Sequence, residues 1–145
     1  MEDFEQLKLD GQLCFPLYAA ARIFMRRYTP VLAEIGLTYT QYITMLVLWE
    51  KGELTAKDLG RRLNLDSGTL TPLLKKMETK GLLSRKRSAL DERNLVVSLT
   101  DEGRALKEKA YRIPDRMMKM SPLTPEETAV LSGILRKIIK ADSEA

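Results

Sequence analysis

Cys14 is the only cysteine in this chain of 145 residues, and the chain contains no histidine. The absence of histidine removes the commonest general base and the commonest metal ligand, so hydrolytic triads and zinc sites are poor candidates. We expect no catalytic residue, cofactor or metal site, and we expect that the chain is not an enzyme. One cysteine cannot form an internal disulfide, which leaves Cys14 as either a small buried hydrophobe or a reactive thiol.

A second set of residues suited to chemistry falls at the start of a predicted helix. Short hydroxyl side chains and bare backbone can approach phosphates and base edges closely, and lysines further along the same helix can reach phosphates. These candidate DNA-binding residues are Ser67, Gly68, Thr69, Thr71, Lys75 and Lys76. A solvated helix face is the alternative interpretation of the two lysines.

Basic residues continue into a predicted β-hairpin. The strand-like segments 82–87 and 95–99 are separated by a polar turn, which is the pattern of a wing. Alternation along the first strand places Arg85 and Arg87 on one face and Lys86 on the other. At least one of these faces should meet the phosphate backbone of DNA.

The turn of this hairpin carries Asp91 and Arg93. Arg93 can extend into an adjacent minor groove, where narrow A·T tracts concentrate negative potential. Asp91 is badly placed to touch DNA, and we expect it to fix the hairpin tip by accepting a hydrogen bond from Arg93 or a neighbouring amide. Between Arg61 and Arg93 there are nine Lys/Arg and four Asp/Glu residues, a local charge of +5 in a chain of net charge +4. The sequence therefore predicts that a polyanion binds here.

Two short helices must position these surfaces. A helix over residues 54–63 has Thr55 as its N-cap, and after a tight connection a second helix begins at Asp66 or Ser67 and ends at Gly81. Two such helices followed by a hairpin predict a winged helix-turn-helix. An ordinary helical hairpin is the alternative, and the basic wing weighs against it.

Longer helices are predicted before this lobe. Apolar spacing predicts a helix from Leu13 that ends before Pro30, and a second helix that is capped over residues 38–41 and stops near Gly52. The buried face of the second helix is predicted to contain Tyr42, Met45, Leu46, Leu48 and Trp49.

The C-terminal third is also predicted to be helical. A helix capped by residues 100–103 should run towards Ile113 and be interrupted or kinked at Pro114, and Thr124 with Pro125 begins a last helix. That helix carries an apolar stripe, which needs the chain's own first helix, a second subunit or both as its partner. The stripe consists of Val130, Leu131, Ile134, Leu135, Ile138 and Ile139.

Length and composition fit a single domain over residues 1–145, with 44% hydrophobic residues to fill a core. No run of about 18 uncharged apolar residues occurs, and residues 1–4 are acidic where a secretory signal would be basic and then apolar. We therefore expect a cytoplasmic protein that does not contact a membrane.

The order of these blocks resembles a known family. Asp91–Arg93 in a wing after a helix-turn-helix is similar to the MarR superfamily of dimeric winged-helix regulators. More narrowly, Leu13–Tyr18, Leu37–Tyr42 and Leu65–Lys75 resemble the organic hydroperoxide resistance regulators of the single-cysteine type. The resemblance covers about residues 10–113.

The elements and the resemblance together predict a mainly α fold with a small β-hairpin wing. About residues 1–36 and 101–145 would form N- and C-terminal dimerisation helices, and about residues 37–100 the winged helix-turn-helix lobe. The resemblance implies a homodimeric repressor that binds double-stranded operator DNA and is released when an organic hydroperoxide oxidises Cys14.

The resemblance also implies a sensor site around Cys14. Tyr28 and Tyr39 match the tyrosines that hydrogen-bond the sensor cysteine from the partner subunit. A helix N-terminus and two phenolic donors would favour the reactive thiolate. The pocket that would favour alkyl hydroperoxides over hydrogen peroxide is expected to contain Phe15, Leu17 and Tyr18.

The chain departs from part of the family in having no second, resolving cysteine within residues 114–145. A sulfenic acid on Cys14 must then condense with an external small thiol, attack a backbone nitrogen or over-oxidise. We favour a mixed disulfide with a cellular thiol. Position 64 is Asn where many relatives have an aromatic residue, which can alter the packing beneath the recognition helix.

Two alternatives remain open from the residues alone. In the first, the effector is a reversibly bound small molecule such as a phenolic acid, held between the dimer helices and the DNA-binding lobe, and Cys14 is structural. In the second, the chain is a one-cysteine peroxidase. The basic wing, and the lack of an evident arginine and threonine constellation around Cys14, argue against the second.

Overall fold

The computed structural model describes residues 4–144 and shows a mainly α fold with one small sheet. The acidic residues 2 and 3 and both ends of the predicted 1–145 domain lie outside the described residues. Two short 3-10 helices, Glu5–Leu7 and Leu9–Gly11, precede the main elements. These are α1 (Cys14–Ala33), α2 (Tyr39–Lys51), β1 (Glu53–Thr55), α3 (Ala56–Leu63), α4 (Ser67–Thr79), β2 (Leu83–Arg87), β3 (Leu95–Leu99), α5 (Asp101–Ala110), α6 (Ile113–Met120) and α7 (Pro125–Ser143).

The chain divides into two compact units, one up to Ile113 and one from Pro114 onwards. The first contains α1 to α5 and the sheet. Its core is built from side chains of α1, α2, α3, α4 and the sheet, each almost wholly removed from solvent. The most deeply buried hydrophobic side chains are Leu32, Met45, Leu48, Leu59, Leu74, Met77, Leu83 and Val97. The second contains most of α6 and all of α7.

The sheet has three antiparallel strands in the order β1-β3-β2. The predicted hairpin of β2 and β3 is confirmed, with Arg85 opposite Val97. Strand β1 was not predicted, because Leu54 was assigned to the following helix. Three residues are too few for alternation to show, and β1 exists through its pairing with β3, where Leu54 lies opposite Val97.

The prediction that the first helix ends before Pro30 is wrong, because α1 continues to Ala33. A proline inside a helix costs about 3 kcal/mol. Val31 and Leu32, which follow it, are buried, and burying such side chains stabilises by about 1.5–3 kcal/mol each, which offsets that cost. The chain leaves the helix at Gly36, whose φ is +71° and whose N–H donates to the Ala33 carbonyl at 3.1 Å.

Helix α2 follows the sequence prediction at both ends. Thr38 and Gln41 form a capping box, and Gly52 ends the helix with φ +76°. Of the predicted buried face, Leu46 is exposed, whereas Trp49 is half-buried and its Nε1–H donates to the Gly103 carbonyl at 2.8 Å. This bond joins α2 to the first turn of α5.

The break between α5 and α6 comes earlier than predicted. Helix α5 ends at Ala110 rather than running towards Ile113. Pro114 has no N–H to donate to the Ala110 carbonyl four residues before it, so the helical ladder stops there. Pro114 then sits in the first turn of α6, where a missing N–H is harmless.

Helix α7 begins as predicted, with a capping box of Thr124 and Glu127 and Pro125 in the first turn. Its apolar stripe is largely exposed: Val130 is 64% and Ile134 54% accessible. No helix in the described part of the chain is long and apolar enough to cross a membrane.

Candidate sensor site and DNA-binding surface

Helix α4 has one buried and one exposed face, as a helix that presents residues to a partner must have. Leu70, Leu73, Leu74 and Met77 are buried. The residues predicted to read DNA all lie exposed, and they are Ser67, Gly68, Thr69, Thr71, Lys75 and Lys76. One helix therefore brings them to a common surface, although their contact with DNA stays a prediction.

The start of α4 is fixed by Asp66, whose Oδ1 accepts from the Thr69 N–H at 2.8 Å. Helix α3 approaches this turn closely at Gly60. A Cβ on Gly60 would lie 2.9 Å from the Leu65 carbonyl oxygen and 3.2 Å from Leu70 Cδ2, so only glycine fits. Asn64 adopts the left-handed conformation with φ +55°, which asparagine tolerates better than an aromatic residue does.

The tip of the wing is held by the interaction that the sequence predicted. Asp91 Oδ1 accepts from the Arg93 backbone N–H at 3.0 Å and from its Nε at 3.1 Å, and Asp91 Oδ2 accepts from Nη2 at 3.2 Å. These hydrogen bonds lower the pKa of the Asp91 carboxyl. The side chain of Arg93 remains 90% exposed, so it is oriented and still available to a partner.

The two arginines of β2 differ in their surroundings. Arg87 is exposed, whereas Arg85 donates from Nη2 to Glu78 Oε1 at 3.1 Å and from its backbone N–H to Glu78 Oε2 at 2.9 Å. The side-chain hydrogen bond from Arg85 is the main reason that the pKa of Glu78 is lowered. This pair ties the wing to α4, a role for Arg85 that sequence reasoning missed. Its predicted contact with DNA stays a prediction.

A cavity of about 320 Å³ lies between α3, α4 and the wing. Its lining is mixed in character: Ala56, Gly60, Leu65, Leu70, Thr71 and Arg85 all contribute. The Nε of Arg85 is buried and has no hydrogen-bond partner among the described residues.

Cys14 is the first residue of α1 and is exposed. Its expected position at a helix N-terminus is confirmed. The three residues expected to form the apolar pocket are exposed as well: Phe15, Leu17 and Tyr18. Within one chain they therefore do not enclose a pocket, and the guanidinium of Arg22 lies 5.5 Å from the ring of Tyr18.

Tyr28, Tyr39 and Tyr42 pack together, and we call them the tyrosine cluster. The ring centroids are 5.0 Å apart for Tyr28 and Tyr39, 6.0 Å for Tyr28 and Tyr42, and 6.5 Å for Tyr39 and Tyr42. Burial raises the pKa of all three phenols, that of Tyr42 to about 12. The phenols therefore stay protonated at neutral pH and can donate hydrogen bonds.

The tyrosine cluster and Cys14 are far apart within one chain. Cys14 and Tyr28 belong to the same helix, and 14 residues at about 1.5 Å each separate them by roughly 21 Å along its axis. A hydrogen bond spans only about 3 Å. No hydrogen bond can thus join Tyr28 to the Cys14 thiol of its own chain.

Sequence reasoning placed Tyr42 in the core and gave it no part in the site. The structure agrees that Tyr42 is buried but shows it in contact with both predicted donors. The signal for this was present, because Tyr39 and Tyr42 are three residues apart on a helix and so share a face. Only the packing of α1 on α2 adds Tyr28.

Comparison with known proteins agrees with this architecture. Residues 26–110 match the family model described as "Transcriptional regulator SarA/Rot". The chain is 46% identical over 137 residues to the organic hydroperoxide resistance transcriptional regulator of Bacillus subtilis, covering 94% of this chain and 93% of that protein. These relatives are transcriptional regulators rather than enzymes.

Solved structures of similar proteins agree with this architecture. The reduced AbfR bound to DNA is 35% identical, with a TM-score of 0.77 over 92% of this chain and 94% of that chain. The disulfide-formed AbfR is 37% identical, with a TM-score of 0.63 over 97% and 96% of the two chains. AbfR is a protein of Staphylococcus epidermidis.

Proposed function

Because this chain belongs to the MarR superfamily of winged-helix transcriptional regulators and, within it, to the organic hydroperoxide resistance regulators, we propose that it is a redox-sensing repressor. A homodimer binds operator DNA in the reduced state. Oxidation of Cys14 by an organic hydroperoxide releases the homodimer from the operator. The observation that carries the proposal is the roughly 21 Å that separates Cys14 from Tyr28 in one chain, which a second chain can bridge.

The α4 surface and the wing support the part of the proposal that concerns DNA. Exposed hydroxyls at the start of α4 suit the major groove, and Arg93, oriented by Asp91, suits the minor groove. A dimer presents two such sets to half-sites about 34–36 Å apart. AbfR, which shares the fold, has been solved bound to DNA both in its reduced and in its overoxidized form.

A dimer also accounts for the exposed apolar groups. The stripe on α7 and the residues around Cys14 are exposed in one chain. A second chain would bury them and would bring Tyr28 and Tyr39 of one subunit to Cys14 of the other. Two phenol donors there favour the thiolate, and Tyr42 holds both donor rings in place.

The chemistry at Cys14 follows from these groups. The thiolate attacks the distal oxygen of the hydroperoxide, the O–O bond breaks, and the alkoxide leaves as an alcohol after taking a proton from solvent or a phenol. The product is a sulfenic acid. Since the chain has no second cysteine, a small cellular thiol then attacks the sulfur, forming a mixed disulfide and releasing water.

Release from DNA follows from the added bulk. A group attached to Cys14 displaces the tyrosines that face it, and a small rotation of the subunits breaks the match between two recognition helices and their half-sites. A loss of about 4 kcal/mol of operator affinity corresponds to roughly thousandfold weaker binding. That is enough for derepression.

The testing experiment is an operator titration with matched variants. An operator is first selected from random duplexes with the reduced protein. Wild type and Cys14→Ser are then titrated before and after cumene hydroperoxide in the presence of a small thiol. We expect that only the wild type dissociates from the operator after oxidation and that a reductant restores its binding. Release of both proteins, or of neither, rules out Cys14 as the switch.

A second candidate effector is a reversibly bound phenolic acid. The cavity between α3, α4 and the wing favours it, because Arg85 lines that cavity and its Nε lacks a partner among the described residues. This position lies inside the winged lobe rather than between that lobe and the dimer helices, where the sequence placed it. The distinguishing result is a Cys14→Ser protein that still releases DNA with such an acid.

A further inference from the structure

Lys80 connects the end of the recognition helix to the helices that carry the tyrosine cluster. It is the C-cap residue of α4, and its backbone N–H donates to the Lys76 carbonyl at 3.0 Å. Its side chain leaves α4 and donates from Nζ to the Gly36 carbonyl at 2.6 Å and to Gln41 Oε1 at 2.9 Å. One ammonium group thus joins α4 to the α1–α2 connection and to the first turn of α2.

The two acceptors are well suited to a cation. The Gly36 carbonyl lies just past the C-terminal end of α1, where the helix dipole attracts positive charge. Gln41 is buried, and its Oε1 also accepts from the Thr38 N–H at 3.1 Å in the capping box of α2. A charged donor makes stronger hydrogen bonds than a neutral one.

Both acceptors lie close to the tyrosine cluster along the chain. Gln41 is in the first turn of α2 together with Tyr39, and Gly36 follows the end of α1, which carries Tyr28. A shift of α1 or α2 at these tyrosines would therefore be carried along the chain to the groups that accept from Lys80. Hydrophobic contacts are not directional, whereas these hydrogen bonds fix a direction and a distance.

We propose that Lys80 is a positioning residue that transmits the displacement of the tyrosine cluster to the recognition helix. The inference rests on the proposed redox function and names the contact through which it is regulated. In the reduced protein the buried face of α4 sets the position of that helix, and Lys80 links its C-terminal end to the α1–α2 connection. When the sensor is oxidised, the connection moves and Lys80 carries α4 out of register with its half-site.

The test compares the release ratio, the operator Kd after oxidation divided by the Kd before, in three variants. Lys80→Met keeps the length of the side chain and removes the charge. Lys80→Arg keeps the charge and the donors. Lys107→Met is the matched control, because Lys107 is exposed on α5 and its loss changes the net charge equally. The rate of Cys14 oxidation is measured alongside in each protein.

We expect the release ratio of Lys80→Met to fall at least tenfold below that of Lys107→Met. The operator affinity of reduced Lys80→Met and its rate of Cys14 oxidation should not change. Lys80→Arg should recover most of the lost release ratio. An unchanged ratio overturns the proposal. So does a Lys80→Met protein that binds poorly when reduced, which makes Lys80 part of the DNA surface, or one that oxidises slowly, which places it in the sensor chemistry. If wild type itself does not release, the proposed function has failed instead.

Discussion

The winged lobe, from α2 to β3, and the sensor end, Cys14 with its neighbours at the start of α1, differ in how much a single chain supplies. In the lobe the helix caps, the Arg85–Glu78 pair and the Asp91–Arg93 tip are all present in one chain. At the sensor end the thiol and its apolar neighbours are exposed. The winged lobe has these contacts within a single chain, whereas we propose that the sensor end becomes a site only when a second copy packs against it.

The difference separates two kinds of sensitivity. Changes within the lobe should alter DNA binding without altering the chemistry of Cys14. Changes at the surfaces that lack a partner should alter assembly, sensing or both.

The strongest test introduces charge into the stripe of α7. Ile134→Arg with Ile138→Arg should prevent dimerisation, because two buried guanidinium groups would face apolar partners without a counter-ion. Losing one of two linked half-site contacts should weaken operator binding by roughly 10²–10⁴-fold. Sedimentation equilibrium and fluorescence anisotropy measure the two effects, and Trp49 fluorescence shows whether the lobe stays folded.

The matched control adds two arginines to the opposite face of the same helix. Ala129→Arg with Gly133→Arg changes the charge equally, and a Cβ on Gly133 meets no atom within 4 Å. This control should remain dimeric. If the stripe variant also remains dimeric and binds operator normally, the stripe is not the dimer surface. The claim that the stripe, unlike the lobe, needs a second chain is then wrong.

Removal of Arg93 tests the independence of the lobe. Arg93→Ala should weaken operator binding by roughly tenfold to a hundredfold, the usual cost of a lost groove contact of about 1–3 kcal/mol. The release ratio and the rate of Cys14 oxidation should not change. Arg104→Ala is the control, since Arg104 is also exposed and paired, with Asp101 Oδ1 at 2.9 Å. Equal losses in both variants would reduce the effect to net charge.

Removal of the phenol hydroxyls tests the sensor end. Tyr28→Phe or Tyr39→Phe keeps the ring packing and should slow Cys14 oxidation about fivefold to tenfold, as expected for one lost hydrogen bond of about 1–1.5 kcal/mol. Operator affinity of the reduced protein should stay within about twofold. Stopped-flow oxidation with cumene hydroperoxide measures the rate. The exposed Tyr111 offers the control, Tyr111→Phe.

Mixed dimers decide whether the tyrosines act across the interface. A Cys14→Ser chain paired with a Tyr39→Phe chain leaves one thiol, which faces an intact Tyr39 only if the donor comes from the partner. That thiol should react at the wild-type rate. A slow reaction would place the Tyr39 donor in the same chain as the thiol and contradict the proposed donation across the interface.

Sequence alone predicts most of the lobe, because its signals are local. Thr38, Thr55 and Asp66 cap helices at the predicted positions, and the Asp91–Arg93 bond follows from a spacing of two residues. Strand β1 and the extension of α1 past Pro30 could not be predicted this way. Both depend on tertiary contacts, the pairing of Leu54 with Val97 and the burial of Leu32, that outweigh local propensity.

The sensor end shows the same limit more strongly. The spacing of Cys14 and Tyr28 on one helix already implies that they cannot meet within a chain. It does not show that Tyr28, Tyr39 and Tyr42 form one cluster, because that requires α1 to pack on α2. Lys80 could not be recognised as a link either, since its acceptors lie 39 and 44 residues away.

The smallest predicted effect is a dependence of the free energy of unfolding on pH. It tests whether the tyrosine cluster, like the winged lobe, is complete within a single chain. Burial raises the pKa of Tyr42 to about 12, and those of Tyr28 and Tyr39 are raised as well. Above pH of about 10 the unfolded chain releases phenol protons that the folded chain keeps. The free energy of unfolding should therefore fall as the pH rises from about 10 to about 12.

Urea unfolding at pH 8 and pH 11, with tyrosinate absorbance, measures this fall. Tyr42→Phe should make it shallower, and Tyr111→Phe should leave it nearly unchanged. Because the cluster is built by α1 and α2 of one chain, the high tyrosinate midpoint should persist in the monomeric Ile134→Arg, Ile138→Arg variant. If the tyrosinate midpoint returns to about 10 in the monomer, the tyrosine cluster needs the second chain as much as Cys14 does. Tyr39 and Tyr42 then belong with the sensor end rather than with the winged lobe.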